Sequence, residues 1–163
     1  MNKLLRVSMM LVLATAMLAG FGCTKSEVGG KGEGDKPTQA DSSITSIEEA
    51  ATVISTAPVY FAYDRYDLDN AAKNDLKVKA GLLIKFPQLK VQIAGHCDER
   101  GTREYNLALG ERRARAAYDY LVLLGVRPAQ LSTHSYGKMY PAVQGNNEAA
   151  WSKNRRDEFR VVR

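Results

Sequence analysis

Residues 95–116 read GHCDERGTREYNLALGERRARA, and the second half of this stretch opens a long helix. A loop, Cys97 to Thr102, leads into a proline-free run from about Arg103 to Leu124, which Gly125 closes as a helix-terminating glycine. Successive helical residues are turned by about 100°, so Leu109, Ala116, Tyr120 and Leu124 share one narrow stripe, the face expected to meet a sheet. Glu111, Arg115 and Asp119 form an outward ladder at four-residue spacing, the ordinary solvated use of charge on a helix. Arg113 is placed differently, in the middle of the apolar stripe. A guanidinium there loses hydration, at a cost of several kcal/mol unless an acceptor is fixed beside it. Asp98 is the best candidate, because it sits in the preceding loop near the helix end whose dipole favours anions. Asn106 projects from the same stripe nearly two turns before Arg113. Two readings stay open: Asp98 and Arg113 form a structural ion pair with Asn106 filling a polar gap, or the three line one pocket.

Working outward toward the N-terminus, Leu89, Val91 and Ile93 alternate with Lys90 and Gln92 in a strand ending at Gly95. Asn70 to Phe86 carries Ala72, Leu76, Ala80, Leu83 and Ile84 at helical spacing and stops before Pro87. Order begins near Pro58, where Val59, Phe61 and Tyr63 alternate with Tyr60 and Ala62 as a first strand. In the other direction, Leu131 to Tyr136 reads as a strand, Glu148 to Lys153 as a short helix and Phe159 to Val162 as a last strand. The order βαβαβ(α)β predicts an α/β chain, an α+β sandwich with a mixed four-stranded sheet and helices on one face.

The N-terminal segment has another character. Lys3 and Arg6 precede an apolar run of 15 residues, Val7 to Phe21, followed by Gly22 and Cys23. This is a secretory signal layout over residues 1–22, and the run is short of the roughly 20 residues that span a bilayer. A cysteine directly after a small residue resembles the bacterial lipoprotein cleavage site, which implies lipidation of Cys23, with Thr24 implying the outer membrane. Gly20 stands where that site usually has Leu, and a plain signal peptide is the alternative. Lipidation would occupy the Cys23 thiol, so no disulfide is expected for Cys97. From Thr24 to Asp41, glycines, Pro37 and charges of both signs leave almost nothing to bury, so residues 23–57 are expected to serve as a flexible tether. Whether Ile44 to Ile54 adds a turn or two of helix is open. Residues 58–163 form the domain.

The chain carries a net charge of +5, and residues 56–163 hold eighteen basic against twelve acidic groups. An anionic partner is compatible with this, but no Lys/Arg cluster with stacking aromatics points to nucleic acid. There is no glycine-rich phosphate loop and no serine elbow, and no cofactor is expected. His96, Cys97, Asp98 and Glu99 are contiguous without a second ligand pair, so no metal site is expected. The rival of a different class is a thiol-dependent cell-wall hydrolase or transpeptidase using Cys97, with His96 or His134 as base. Adjacent residues on a strand end point apart, which places His96 poorly for that task.

Residues 95–116, together with VYFAYDRYDL at 59–68, SYGKMYPAV at 135–143 and KNRRDEFRV at 153–161, resemble the OmpA-like peptidoglycan-binding domain across residues 58–163. The resemblance implies a non-enzymatic binder of the diaminopimelate residue of peptidoglycan, whose side-chain end carries an ammonium and a carboxylate. Asp98 would take the ammonium, and Arg113 the carboxylate in a bidentate contact. Asn106 and Leu109 match further lining positions, Tyr63 and Asp64 a loop closing one side, and Asn154 and Arg156 a supporting segment. Similarity to the lipoprotein members of the family implies a link between outer membrane and wall, a periplasmic TolB-like propeller protein as partner, and a part in cell division. Cys97 stands where Ala or Thr is more common in the family, and Asp157 where an apolar residue is usual.

Overall fold

The computed structural model describes residues 44–162. The signal layout, Cys23 and the glycine-rich part of the tether lie outside the described residues. Nine elements follow in order: helix α1 (Ile47–Thr56), strand β1 (Val59–Tyr60), α2 (Asn70–Lys85), β2 (Lys90–His96), α3 (Arg103–Leu123), a 3-10 turn (Pro128–Gln130), β3 (Leu131–Gly137), α4 (Glu148–Asn154) and β4 (Arg156–Val162). The sheet runs β1-β4-β2-β3, with β2 parallel to β3 and β4 antiparallel to both β1 and β2. The mixed four-stranded sheet expected from the order of elements is therefore present. Its parallel pair is joined through α3, the crossover that parallel strands require.

Local chemistry sets the helix ends. The side chains of Asp69, Thr102 and Asn147 accept from Ala72 N (2.8 Å), Tyr105 N (3.1 Å) and Ala150 N (3.0 Å), capping α2, α3 and α4. Gly125, at φ 99°, turns the chain out of α3, a conformation that strains any residue with a Cβ. One face of β2 carries Val91 and Ile93 into the core beside Phe159 of β4, with Leu76, Leu83, Ala117 and Leu121 from the helices packed over them. Gln92, Ala94 and His96 alternate onto the other face.

Three expectations need correction. The packed body starts before Pro58: Ile44, Ala50 and Ile54 are buried core residues, and α1 packs against β4 and α2. Ser46 caps α1, and Lys79 and Lys85 of α2 donate to Ile54 O (3.1 Å) and Ile44 O (2.6 Å). The Lys79 ammonium is buried over the Phe159 ring, and desolvation pulls its pKa down to about 8. Those tertiary contacts, absent from any local window, turn the end of the expected tether into structure.

The first strand is also shorter than its alternation suggests. After Tyr60 the chain leaves the ladder, and the main-chain oxygens of Phe61 and Ala62 turn to buried arginines. Finally, the buried face of α3 is centred on Asn106, Gly110, Arg113, Ala117 and Leu121, while Ala116, Tyr120 and Leu124 are half-buried on its flank. Small residues carry little hydrophobic signal, yet they let the helix come closest. A Cβ on Gly95 would overlap Gly110 O, and one on Gly110 would overlap Ser135 Oγ and lie 3.0 Å from Gly95 O. The helix backbone thus rests directly on β2, beside the loop that carries Asp98.

Candidate functional site

At the end of β2 the chain passes through Cys97 and Asp98 into the cap of α3, and a cavity of about 190 Å³ opens there. Its lining brings together Tyr63, Asp64, Asp98, Asn106, Leu109 and Arg113, all singled out in the sequence. Asn154 and Arg156 do not line it. Asn154 exchanges hydrogen bonds with the main chain of Val143 (2.8 and 3.0 Å), pinning the loop before α4. Arg156 points to the opposite face of the sheet, where it is itself buried and binds Glu158 at 2.5 Å. The residue between them, Arg155, lines the site instead, because consecutive side chains at the start of a strand point to opposite sides.

Arg113 forms the floor. It is fully buried, and no carboxylate lies within ion-pair distance of it among the described residues. The expected negative partner is replaced by main-chain oxygens: Nε donates to Arg65 O (2.8 Å), Nη1 to His96 O (2.9 Å) and Nη2 to Ala62 O (3.2 Å). Nη1 also reaches Cys97 Sγ at 3.5 Å, and the Phe61 ring lies 5.1 Å from the guanidinium carbon. Burial pulls its pKa down, but a guanidinium starts so high that it keeps its charge. Three carbonyl dipoles hold the cation without cancelling it. Deeper still, Asp157 of β4 sits opposite Gly95 with its carboxyl completely buried. Desolvation raises its pKa well above the ordinary carboxylate value, against the opposing pull of Arg113.

Asp98 is held in the opposite way. Its carboxylate accepts from Arg100 Nη2 (2.5 Å), Nε (3.1 Å) and main-chain N (3.1 Å), and from Arg155 Nη1 (3.3 Å). Burial pushes its pKa up, and the hydrogen bonds from Arg100 and Arg155 outweigh this, so it titrates below the usual range. Arg155 is fixed in turn by Phe61 O (3.0 Å) and Glu148 (2.5 Å). Asn106 directs both amide hydrogens to the carbonyls of Arg100 (2.8 Å) and Thr102 (3.0 Å), which leaves its amide oxygen as the group it can offer. On the outer wall, Asp64 adopts φ 55° and accepts from the Tyr105 hydroxyl, a bond that raises the tyrosine pKa.

Sequence reasoning passed over Arg100, Tyr105 and Arg155. The signal for Arg100 was present in the Asp98-Glu99-Arg100 order, where a turn brings residues two apart onto one carboxylate. Arg155 had no comparable signal within the run Asn154-Arg155-Arg156. Cys97 lacks the chemistry of a nucleophile. Its thiol is buried, bonds to Asn106 O at 3.3 Å and is pushed up to about 11 by desolvation. His96 lies on the opposite face of the sheet, stacked on Tyr136, with its pKa lowered to about 4 by burial and by Arg156. His134 meets the same Tyr136 ring, with centroids 4.5 Å apart, and among the described residues neither imidazole bonds to the thiol.

Residues 60–155 match the OmpA family model. The chain belongs to the OmpA family. It is similar over nearly its whole length to the peptidoglycan-associated lipoproteins of Pseudomonas putida, 42% identical over 97% of this chain and 99% of the relative, and of Haemophilus influenzae, 40% identical over 96% and 97%. Among solved structures, the peptidoglycan-associated lipoprotein of Burkholderia pseudomallei superposes with a TM-score of 0.65 at 41% identity, covering 68% of this chain and 93% of that one. The C-terminal domain of Helicobacter pylori MotB shares the fold alone, with a TM-score of 0.62 at 23% identity, covering 66% and 84%.

Proposed function

We propose that this chain is a non-enzymatic peptidoglycan-binding lipoprotein that holds the diaminopimelate side chain of the peptide stem between Asp98 and Arg113. The observation that carries the reading is that the two residues line one cavity without touching each other, the arrangement a ligand with both charges requires. Membership of a family whose similar members are named peptidoglycan-associated lipoproteins supports the same ligand class. Arg113 has five N–H donors, and its nitrogens reach three carbonyls and, weakly, the Cys97 thiol. A bidentate carboxylate would therefore displace the thiol contact and use the remaining Nη hydrogens. Tyr63, Asp64, Asn106 and Leu109 supply the walls. Cys23 is the lipid attachment point in this reading, anchoring the chain to the outer membrane with its domain in the periplasm, where a TolB-like propeller protein is the partner.

The test compares two stem peptides on the full chain. A tripeptide ending in diaminopimelate is expected to bind, whereas one ending in lysine, which keeps the side-chain ammonium but lacks the carboxylate, is expected to lose at least tenfold in affinity, as loss of a charge-assisted contact of about 1.5–3 kcal/mol implies. Asp98→Asn should abolish binding of both while unfolding stays cooperative. Equal affinity for the two peptides, or full binding by the Asp98 variant, rejects the assignment.

A further inference from the structure

Arg100 sits where a ligand cation would sit. A carboxylate offers about four lone-pair sites, and Asp98 fills all four from within the protein: Oδ1 takes the main-chain N–H and Nε of Arg100, and Oδ2 takes Nη2 of Arg100 and Nη1 of Arg155. An incoming ammonium can reach Asp98 only if one of these donors leaves. The main-chain N–H belongs to the turn itself. Arg155 is buried and tied to Phe61 O and Glu148. Arg100 is the exchangeable one, with 29% of its side chain exposed against 7% for Arg155.

The surroundings of Arg100 are built to keep it close by when it moves. Its guanidinium carbon lies 3.9 Å from the centre of the Tyr63 ring and 4.0 Å from that of Trp151, so it bridges the loop after β1 and helix α4. Glu148 Oε2 is 3.9 Å from Nη2, a second carboxylate within a small rotation. Trp151 is itself oriented by a hydrogen bond from Nε1 to Glu99 (3.1 Å), and Lys138 holds the Glu99 and Gly101 carbonyls at 3.1 and 2.6 Å. Two aromatic faces and Oε2 of Glu148, whose Oε1 holds Arg155, form a slot along which a guanidinium can slide away from Asp98 without being left unpaired.

We propose that Arg100 is an internal latch: it occupies Asp98 in the free protein, and ligand binding exchanges it for the ligand's ammonium, handing the guanidinium to Glu148. The inference rests on the reading of Asp98 as the ammonium site. It makes Arg100 a specificity device, since a ligand too weak or too diffuse in its positive charge does not displace a bidentate guanidinium.

The experiment uses the diaminopimelate-ending tripeptide and the fluorescence of Trp151, the single tryptophan of the chain. In the wild-type protein, saturation is expected to change Trp151 emission as the cation shifts across its ring face toward Glu148. Arg100→Ala should bind the peptide more tightly, roughly tenfold if the latch is closed in about nine of ten free molecules, because apparent affinity scales with the open fraction. Its emission should no longer change on binding. Arg100→Lys, which loses the bidentate grip but keeps the charge, should fall between. Weaker or unchanged binding by Arg100→Ala, or a silent Trp151 in the saturated wild type, overturns the latch. Retained binding by Asp98→Asn strikes instead at the ammonium-site reading beneath it, so the two failures are told apart.

Discussion

The floor and the rim of the cavity hold their charges by opposite means. On the floor, Arg113 is clamped by main-chain oxygens of two segments, the loop after β1 and the end of β2, with helix α3 resting on β2 through Gly95 and Gly110. At the rim, Asp98 takes three of its four hydrogen bonds from side chains, and one of those side chains, Arg100, is partly exposed and stacked between aromatic rings. Main-chain acceptors move only when the backbone moves, whereas side-chain donors exchange by rotation. The contrast separates the part of the site that gives a fixed geometry from the part that can respond to a ligand, and stability and binding should respond differently to changes in each.

The sharpest way to break the contrast is Arg113→Leu. It takes the side-chain donor from the carbonyls of Arg65, His96 and Ala62, of which Ala62 O keeps the Arg65 N–H, at about 1–3 kcal/mol for each buried carbonyl left unpaired, and should lower stability by several kcal/mol, read from the denaturant midpoint. A change in that variant no larger than that of a rim variant would mean the floor is not structural. Gly95→Ala comes next. Its new methyl group meets the Gly110 carbonyl, which belongs to helix backbone, and should cost about 1–3 kcal/mol or more through forced separation of α3 from the sheet. Gly110→Ala should cost less, because its closest neighbour is the Ser135 hydroxyl, a side-chain atom that can rotate.

The smallest effect is one of pH, and it sharpens the contrast from below. Asp157 has a folded pKa raised by burial, so its contribution to stability is fully present below the unfolded carboxylate pKa and is lost as pH rises through the folded value. Asp98 has a depressed folded pKa and works in the other sense, contributing above the unfolded value and losing that contribution as pH falls. Thermal unfolding across pH 4 to 8 should therefore show that Asp157→Asn gains on the wild type as pH rises. A constant difference across that range would show that Asp157 does not titrate on folding.

Much of this arrangement could be read along the chain, and the failures share a cause. The alternation of Leu89 to Ile93, the helical run before Pro87 and the glycine after Leu124 report on local geometry, and β2, α2 and α3 appear where those signals put them. Helical phase alone identified Arg113 as an inward residue, and so it is. What phase could not supply was its partners, since Ala62, Arg65 and His96 offer main-chain oxygens that have no identity in the sequence. A carboxylate was the only acceptor that pattern reading could name, and Asp98 was named for it.

The sequence by itself determined the periodicities, the glycine and proline that end helices and the family resemblance, because each depends on residues close together or on a motif kept in order. Only the tertiary structure decided that α1 joins the core, that Arg155 rather than Asn154 or Arg156 faces the cavity, and that Asp98 is occupied by Arg100 while Arg113 stands unneutralised. Those outcomes hang on which distant groups meet. A charge settles on whichever acceptor or donor the packed chain brings within about 3 Å, and sequence spacing does not contain that distance.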